Sequence, residues 1–231
     1  MAHMAHYKEA HPLPFRITHW INLIAMIALI ITGFQIHYPF IPFLAMGVAR
    51  SIHIFCGFVL LVNMVARVVL AFFVKSAPAA GTRELVKDYK TWLPQADNKH
   101  QLLSWVKYYL FIKKEHPISA KLGVPQKLAY LMVPLLILFM FLTGIALWTP
   151  TSTAPVAKAL IALFGGAMNV RIAHYIGMFI FIMFIMLHVY LATIEGLAPA
   201  KLMFFGKEHD GLKYDVDRHV IVEDNNTQQD K

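Results

Sequence analysis

The chain has 231 residues, 58% of them hydrophobic and 15% charged, with a formal net charge of +8. Its one cysteine, Cys56, excludes a thiolate-held iron–sulfur cluster and an internal disulfide. The basic residues are spread by loop, without an aromatic-interleaved patch, which argues against nucleic acid as a partner. No glycine-rich fingerprint for a flavin or nicotinamide nucleotide stands between a strand and a helix, so any electrons moved here are delivered and collected by partners.

Residues 1–14 read as a polar, histidine-rich tail in which His3, His6 and His11 are given no role. Four predominantly apolar runs follow, at about 17–38, 51–74, 125–149 and 171–194, each long enough to cross a hydrocarbon core of about 30 Å. The first run is full length and lacks a small-residue cleavage pattern, so it is expected to persist as a membrane helix. It places His19 and the interfacial aromatic Trp20 near one surface, and Pro39 and Pro42 close it. The second run opens with His53, holds Cys56 as a small core residue, and carries Arg67 fourteen residues after His53. A buried arginine needs an anion; the alternatives are a side chain snorkelling to the surface and a salt bridge to a haem propionate.

The middle segment, 75–124, contains an amphipathic stretch from Leu102 to Lys114 expected to lie in the membrane interface. His100 and His116 in this segment read as solvated surface residues. The third run lacks histidine, begins at a proline and contains Pro134, which predicts a kink. Its Thr143-Gly144 supplies small residues for close helix packing. A loop with Pro150, Pro155 and Gly165-Gly166 leads into the fourth run, which ends near Glu195-Gly196. Residues 196–231 form the C-terminal tail, which from Lys207 onward is charged and reads as mobile or partner-bound.

The expected fold is an all-α membrane protein, a four-transmembrane-helix bundle with residues 15–195 as its single domain. Ten Lys/Arg lie between Lys75 and Lys127 and five in the C-terminal tail, against Arg50, Lys158 and Arg171 on the opposite side. By the positive-inside rule both termini and the middle segment are cytoplasmic.

The chemistry is carried by histidines inside apolar sequence, where an ionisable or coordinating group is costly and points to function. His174 and His188 are fourteen residues apart on one helix, about 21 Å along the axis and within roughly 40° of each other around it. By depth His19 matches His188 near the cytoplasmic face, and His53 matches His174 near the outer face. Each pair joins the fourth run to a different helix. A low-spin electron-transfer haem takes two axial imidazoles from opposite sides, so two haem groups stacked across the bilayer are expected. Arg171, one turn before His174, is a candidate propionate contact, as are Arg67 and Arg16. His37 is a fifth intramembrane histidine without a depth-matched partner. Gln126, Tyr130 and Glu195 are the polar candidates for a quinone site near the inner haem.

Several stretches resemble the b-type cytochrome subunit of membrane-bound nickel–iron hydrogenases. They are Phe15-Arg16-Ile17-Thr18-His19-Trp20-Ile21-Asn22 with Ile31-Thr32-Gly33-Phe34, Arg50-Ser51-Ile52-His53 with Gly57 and Arg67, Trp105-Val106-Lys107-Tyr108-Tyr109-Leu110-Phe111, and Arg171-Ile172-Ala173-His174-Tyr175 with His188-Val189-Tyr190. The family shares a four-helix dihaem core with cytochrome b subunits of formate dehydrogenase and thiosulfate reductase. The resemblance implies two haem b, held by His19 with His188 and by His53 with His174. It also implies a place in the bacterial inner membrane and periplasmic partners, an iron–sulfur small subunit and a catalytic large subunit. Menaquinone or ubiquinone is then the electron acceptor, and this chain does no chemistry on hydrogen itself. The alternative is the same conduit for a molybdenum enzyme acting on formate, thiosulfate or polysulfide. A histidine-dependent proton or metal transporter is the rival of another class, but it would carry carboxylates within its helices, where here only Glu195 lies at a helix end.

Overall fold

The computed structural model describes residues 4–5, 11–76, 86–92, 101–113, 124–193, 198–205, 212–215 and 220–223. In chain order the elements are β1 (Met4–Ala5), α1 (Leu13–His37), α2 (Met46–Phe73), β2 (Lys75–Ser76), β3 (Val86–Lys87), α3 (Tyr89–Trp92) and α4 (Leu102–Tyr109). They continue with α5 (Val124–Leu147), α6 (Pro155–Leu163), α7 (Ala167–Thr193), α8 (Ala198–Phe205), β4 (Leu212–Asp215) and β5 (Val220–Glu223). Among the described residues, α1, α2, α5 and α7 are the helices long and apolar enough to cross a membrane. Contacts divide the chain into two units, one of residues 17–66 and 133–195, the other of residues 1–16, 67–132 and 196–231.

The first unit is built from the greater part of the four long helices. Each gives one residue to a shared apolar centre, Ala25 from α1, Leu60 from α2, Ile137 from α5 and Phe181 from α7. Outward, large apolar side chains such as Phe55, Val62, Leu135 and Met183 are exposed, while Thr18, Thr32, Asn63 and Thr143 are buried. Exposed apolar side chains around an inner set of hydrogen-bonded polar ones suit lipid as the solvent. A second cluster, Ala146, Ala157 and Val170, seats α6 against α5 and α7.

Helix boundaries depart from the expected ones at three places. α1 starts at Leu13, four residues early, because Pro14 in a first turn forfeits an N–H that has no helical partner there. α2 starts at Met46, so Arg50, expected in the loop, lies inside the helix. The turn that permits this is closed by Gln35, 2% exposed. Its Oε1 accepts from the N–H groups of Phe40 and Ile41, both at 2.9 Å, and its Nε2 donates to the carbonyls of Ile41 and Leu44 at 3.0 and 3.2 Å. α7 starts at Ala167, directly after Gly165 and Gly166 at φ +73° and +136°, a turn that a side chain would strain.

The second unit holds the short strands, which an all-helical reading did not anticipate. β2 and β3 pair antiparallel, with Lys75 opposite Lys87, and β4 pairs with both β1 and β5. Asp88, which follows β3, is fully buried. Its Oδ2 accepts from Arg67 Nη2 at 2.7 Å and Trp92 Nε1 at 3.1 Å, and its Oδ1 accepts from Ser76 Oγ at 2.8 Å. The Arg67 guanidinium also lies 3.8 Å from the centre of the Phe15 ring, a cation–π contact. In the amphipathic stretch, α4 buries Trp105 and leaves Leu102, Leu103 and Val106 exposed, followed by exposed Leu110, Phe111 and Ile112. His100 and His116 lie outside the described residues.

Two stability predictions follow from these networks. Gln35→Leu removes the four hydrogen bonds that close the turn, each contributing a net of about 0.5–1.5 kcal/mol, so thermal unfolding in detergent should show a loss of at least about 2 kcal/mol. Asp88→Asn leaves a largely buried arginine facing a neutral partner and should cost about 3–5 kcal/mol, whereas the double variant Asp88→Leu/Arg67→Met should recover most of it.

Candidate functional site

Two imidazole pairs form within the four-helix unit. The rings of His19 on α1 and His188 on α7 have centres 6.1 Å apart, tilted by 48°. Those of His53 on α2 and His174 on α7 are 6.2 Å apart and inclined by 64°. Among the described residues no third histidine, cysteine, aspartate or glutamate joins either pair to make a protein-only metal cage. Two metal–nitrogen bonds of about 2 Å with half a ring at each end span about 6 Å, so each gap accepts one ion between its imidazoles. Two imidazoles with no further protein ligand among the described residues would suit an iron that brings nitrogens of its own, as haem does.

Hydrogen bonds hold the helices at these levels. Beside His19, Asn63 of α2 donates from Nδ2 to the Thr18 carbonyl of α1 at 2.7 Å and to Asn22 Oδ1 at 2.6 Å. Burying an amide in an apolar bundle is costly unless it is bonded, so this pair fixes α1 against α2. The His19 ring stands edge-on to Trp20, and His188 stacks on Phe184. His19 Nδ1 is buried with no hydrogen-bond partner among the described residues.

The other pair is held differently. Thr32 Oγ1 on α1 lies 2.9 Å from His53 Nδ1, and Thr143 Oγ1 on α5 lies 2.8 Å from His174 Nδ1. Each threonine is followed by a glycine that the imidazole approaches. A Cβ added at Gly33 would stand 3.5 Å from His53 Cε1, and one at Gly144 would stand 3.3 Å from His174 Cε1. Sequence reasoning took Thr143-Gly144 as a packing element only. The signal that identifies it is the recurrence of Thr-Gly at 32–33 and 143–144, once in each of the two helices that contribute no histidine to this pair.

The remaining candidates are placed as follows. The anion beside Arg67 is Asp88, so of the two readings weighed for this arginine neither describes the contact it makes; its Nη1 is buried and without a hydrogen-bond partner among the described residues. A lone aspartate in a lysine-rich segment carries no sequence signal of that role. Arg16 donates from Nε to the Met203 carbonyl at 3.2 Å and from Nη2 to the Phe204 carbonyl at 3.3 Å, capping the C-terminal end of α8. Arg171 is exposed in the second turn of α7, one turn before His174. His37 stacks on Tyr175, ring centres 3.9 Å apart. Tyr130 is half-buried, 5.7 Å from the Trp92 ring and 5.6 Å from the Arg67 guanidinium. Gln126 lies on α5 with its side chain not described, and Glu195 lies outside the described residues.

The family described as prokaryotic cytochrome b561 matches residues 10–206. A probable Ni/Fe-hydrogenase B-type cytochrome subunit of Rhizobium leguminosarum bv. viciae is 28% identical over 205 residues, covering 80% of both chains. The protein of the same description from Azotobacter vinelandii is 29% identical over 200 residues, covering 80% of this chain and 79% of its own. The probable Ni/Fe-hydrogenase 1 B-type cytochrome subunit of Escherichia coli K12 is 27% identical over 199 residues, covering 80% and 81%. The match takes in all four long helices and both histidine pairs, and the chain belongs to the prokaryotic cytochrome b561 family: it is a multi-pass membrane cytochrome of b type, whose cofactor is haem b.

Proposed function

We propose that this chain is the dihaem membrane anchor of a nickel–iron hydrogenase, carrying electrons from a periplasmic iron–sulfur subunit to quinone in the bacterial cytoplasmic membrane. The observation that carries the reading is the shared helix α7, which gives one imidazole to each of two pairs with ring centres 6.1 and 6.2 Å apart. Haem would supply a one-electron iron couple, and the protein an apolar surround and the spacing between the two centres. His19 and His188 would hold one group, and His53 and His174 the other.

The side on which the Lys/Arg-rich middle segment and both termini lie is the cytoplasm, which puts His53 and His174 nearer the periplasm. The names borne by the relatives favour a hydrogenase as the electron donor. Electrons then cross from the positive to the negative side, against about 2.3 kcal/mol per 100 mV per charge, and quinone protons taken from the cytoplasm conserve that work. Arg171, exposed one turn from His174, is the arginine best placed in sequence for a propionate of the outer haem, since Arg16 and Arg67 have partners within the protein. Among Gln126, Tyr130 and Glu195, the tyrosine is supported by its surroundings. It lies near Arg67, whose spare Nη1 donor is available to a quinone carbonyl.

His19→Ala and His53→Ala should each leave one haem per chain by pyridine haemochrome quantitation, and retention of both in either variant would remove that histidine from the ligand set. Tyr130→Phe should lower the rate of quinone reduction about tenfold or more with haem content and spectrum unchanged, as for loss of one group specific to the reaction. Lost haem in that variant would instead assign Tyr130 a structural role.

A further inference from the structure

The two histidine pairs differ in what happens at the nitrogen that does not face a metal. A threonine hydroxyl has a single proton. Thr32 Oγ1 donates its proton to the Ala28 carbonyl at 2.6 Å, and Thr143 Oγ1 donates to the Phe139 carbonyl at 2.8 Å. At His53 and His174 both hydroxyls are therefore acceptors, and both imidazoles donate from Nδ1. That assignment puts the proton on Nδ1 and leaves the lone pair on Nε2 of each ring. Both threonines are buried, at 3% and 1% exposure, so water does not compete for these bonds. At Gly144 a Cβ would crowd His174 Cε1 at 3.3 Å, while at Gly33 it would crowd Met178 Sδ at 3.2 Å and meet His53 Cε1 at an ordinary contact distance of 3.5 Å. His19 is the contrast, its Nδ1 buried with no hydrogen-bond partner among the described residues.

We infer that Thr32-Gly33 and Thr143-Gly144 are matched positioning elements. They fix the tautomer and the ring orientation of both axial ligands of one haem, and through those ligands depress that haem's reduction potential without affecting the other. The physical link is ligand basicity. An imidazole whose N–H is bonded to an acceptor is a stronger electron donor to its metal, and this favours the ferric state over the ferrous. Neither threonine touches iron in this account; each acts through its histidine. The inference rests on the dihaem reading above.

The test uses the purified full-length cytochrome with both haems bound, in redox-poised optical titrations. The haem held by His53 and His174 is identified as the component missing in His53→Ala. Thr32→Val and Thr143→Val remove the acceptor at nearly constant volume. Each should move the potential of that component upward, the double variant should move it further, and the other component should stay in place. Thr32→Ser and Thr143→Ser keep the hydroxyl and should restore the wild-type potential. The low-spin electron paramagnetic resonance signal of the same haem should change in the Val variants and recover in the Ser variants, a response to ring orientation that general loosening would not confine to one centre. Should a Val variant fail to assemble, Thr→Ala at the same position makes the same removal and carries the same prediction. Two haems with unmoved potentials in the hydroxyl-deleted variants would overturn this inference alone. A wild-type protein holding fewer than two haems would overturn the dihaem reading beneath it.

Discussion

A polar ring inside a bilayer must be bonded to something, and the structure depends on how four imidazoles meet that demand. His174 and His188 share one helix, so the fourteen residues between them set the separation of the two sites along α7 before any neighbour is placed. α1 and α2 then each bring one histidine to within about 6 Å ring to ring of its counterpart. In an apolar bundle these rings face one another alongside the few other buried polar groups, Thr18, Thr32, Asn63 and Thr143. The shared centre of Ala25, Leu60, Ile137 and Phe181 draws one apolar residue from each long helix and holds the same four helices between the levels of the two pairs.

Much of this was legible in the sequence because a membrane imposes simple rules. Length and apolarity mark the spanning helices, and a histidine at depth is rare enough to be noticed. Depth alone sorts His19 with His188 and His53 with His174, since in a bundle of parallel and antiparallel rods residues at equal depth are the ones able to meet. The ends of the helices were less legible. The first apolar run points to a start near residue 17, yet proline is tolerated in a first turn and α1 starts at Leu13; Gln35 closes the α1–α2 turn tightly enough for α2 to begin at Met46.

Partners chosen across sequence were not legible at all. Arg67 was read as needing an anion, but nothing in the local sequence distinguishes Asp88 from any other loop aspartate; only the pairing of β2 with β3 brings it and Ser76 together. Arg16, near the first histidine, turned out to bond the carbonyls that end α8, more than 180 residues later. Thr32 and Thr143 were visible only as small residues at packing positions. A threonine in a membrane helix ordinarily bonds its own backbone four residues back, and both do so here. Their second bond, to an imidazole on another helix, is a tertiary fact.

The polar groups therefore divide into those that hold the bundle and those that serve the imidazoles. Gln35 and Asn63 bond backbone carbonyls and one neighbouring amide, and their job ends with helix placement. Thr32 and Thr143 bond His53 and His174 directly, and under the proposed dihaem reading they would act through those rings on the cofactor. The central claim is that each imidazole pair closes on one six-coordinate iron. Low-temperature electron paramagnetic resonance of the oxidised wild-type protein tests it most directly. Two low-spin ferric signals of equal intensity, accounting for all the iron, are the predicted result. A single low-spin signal, or a high-spin signal from five-coordinate iron, would contradict it.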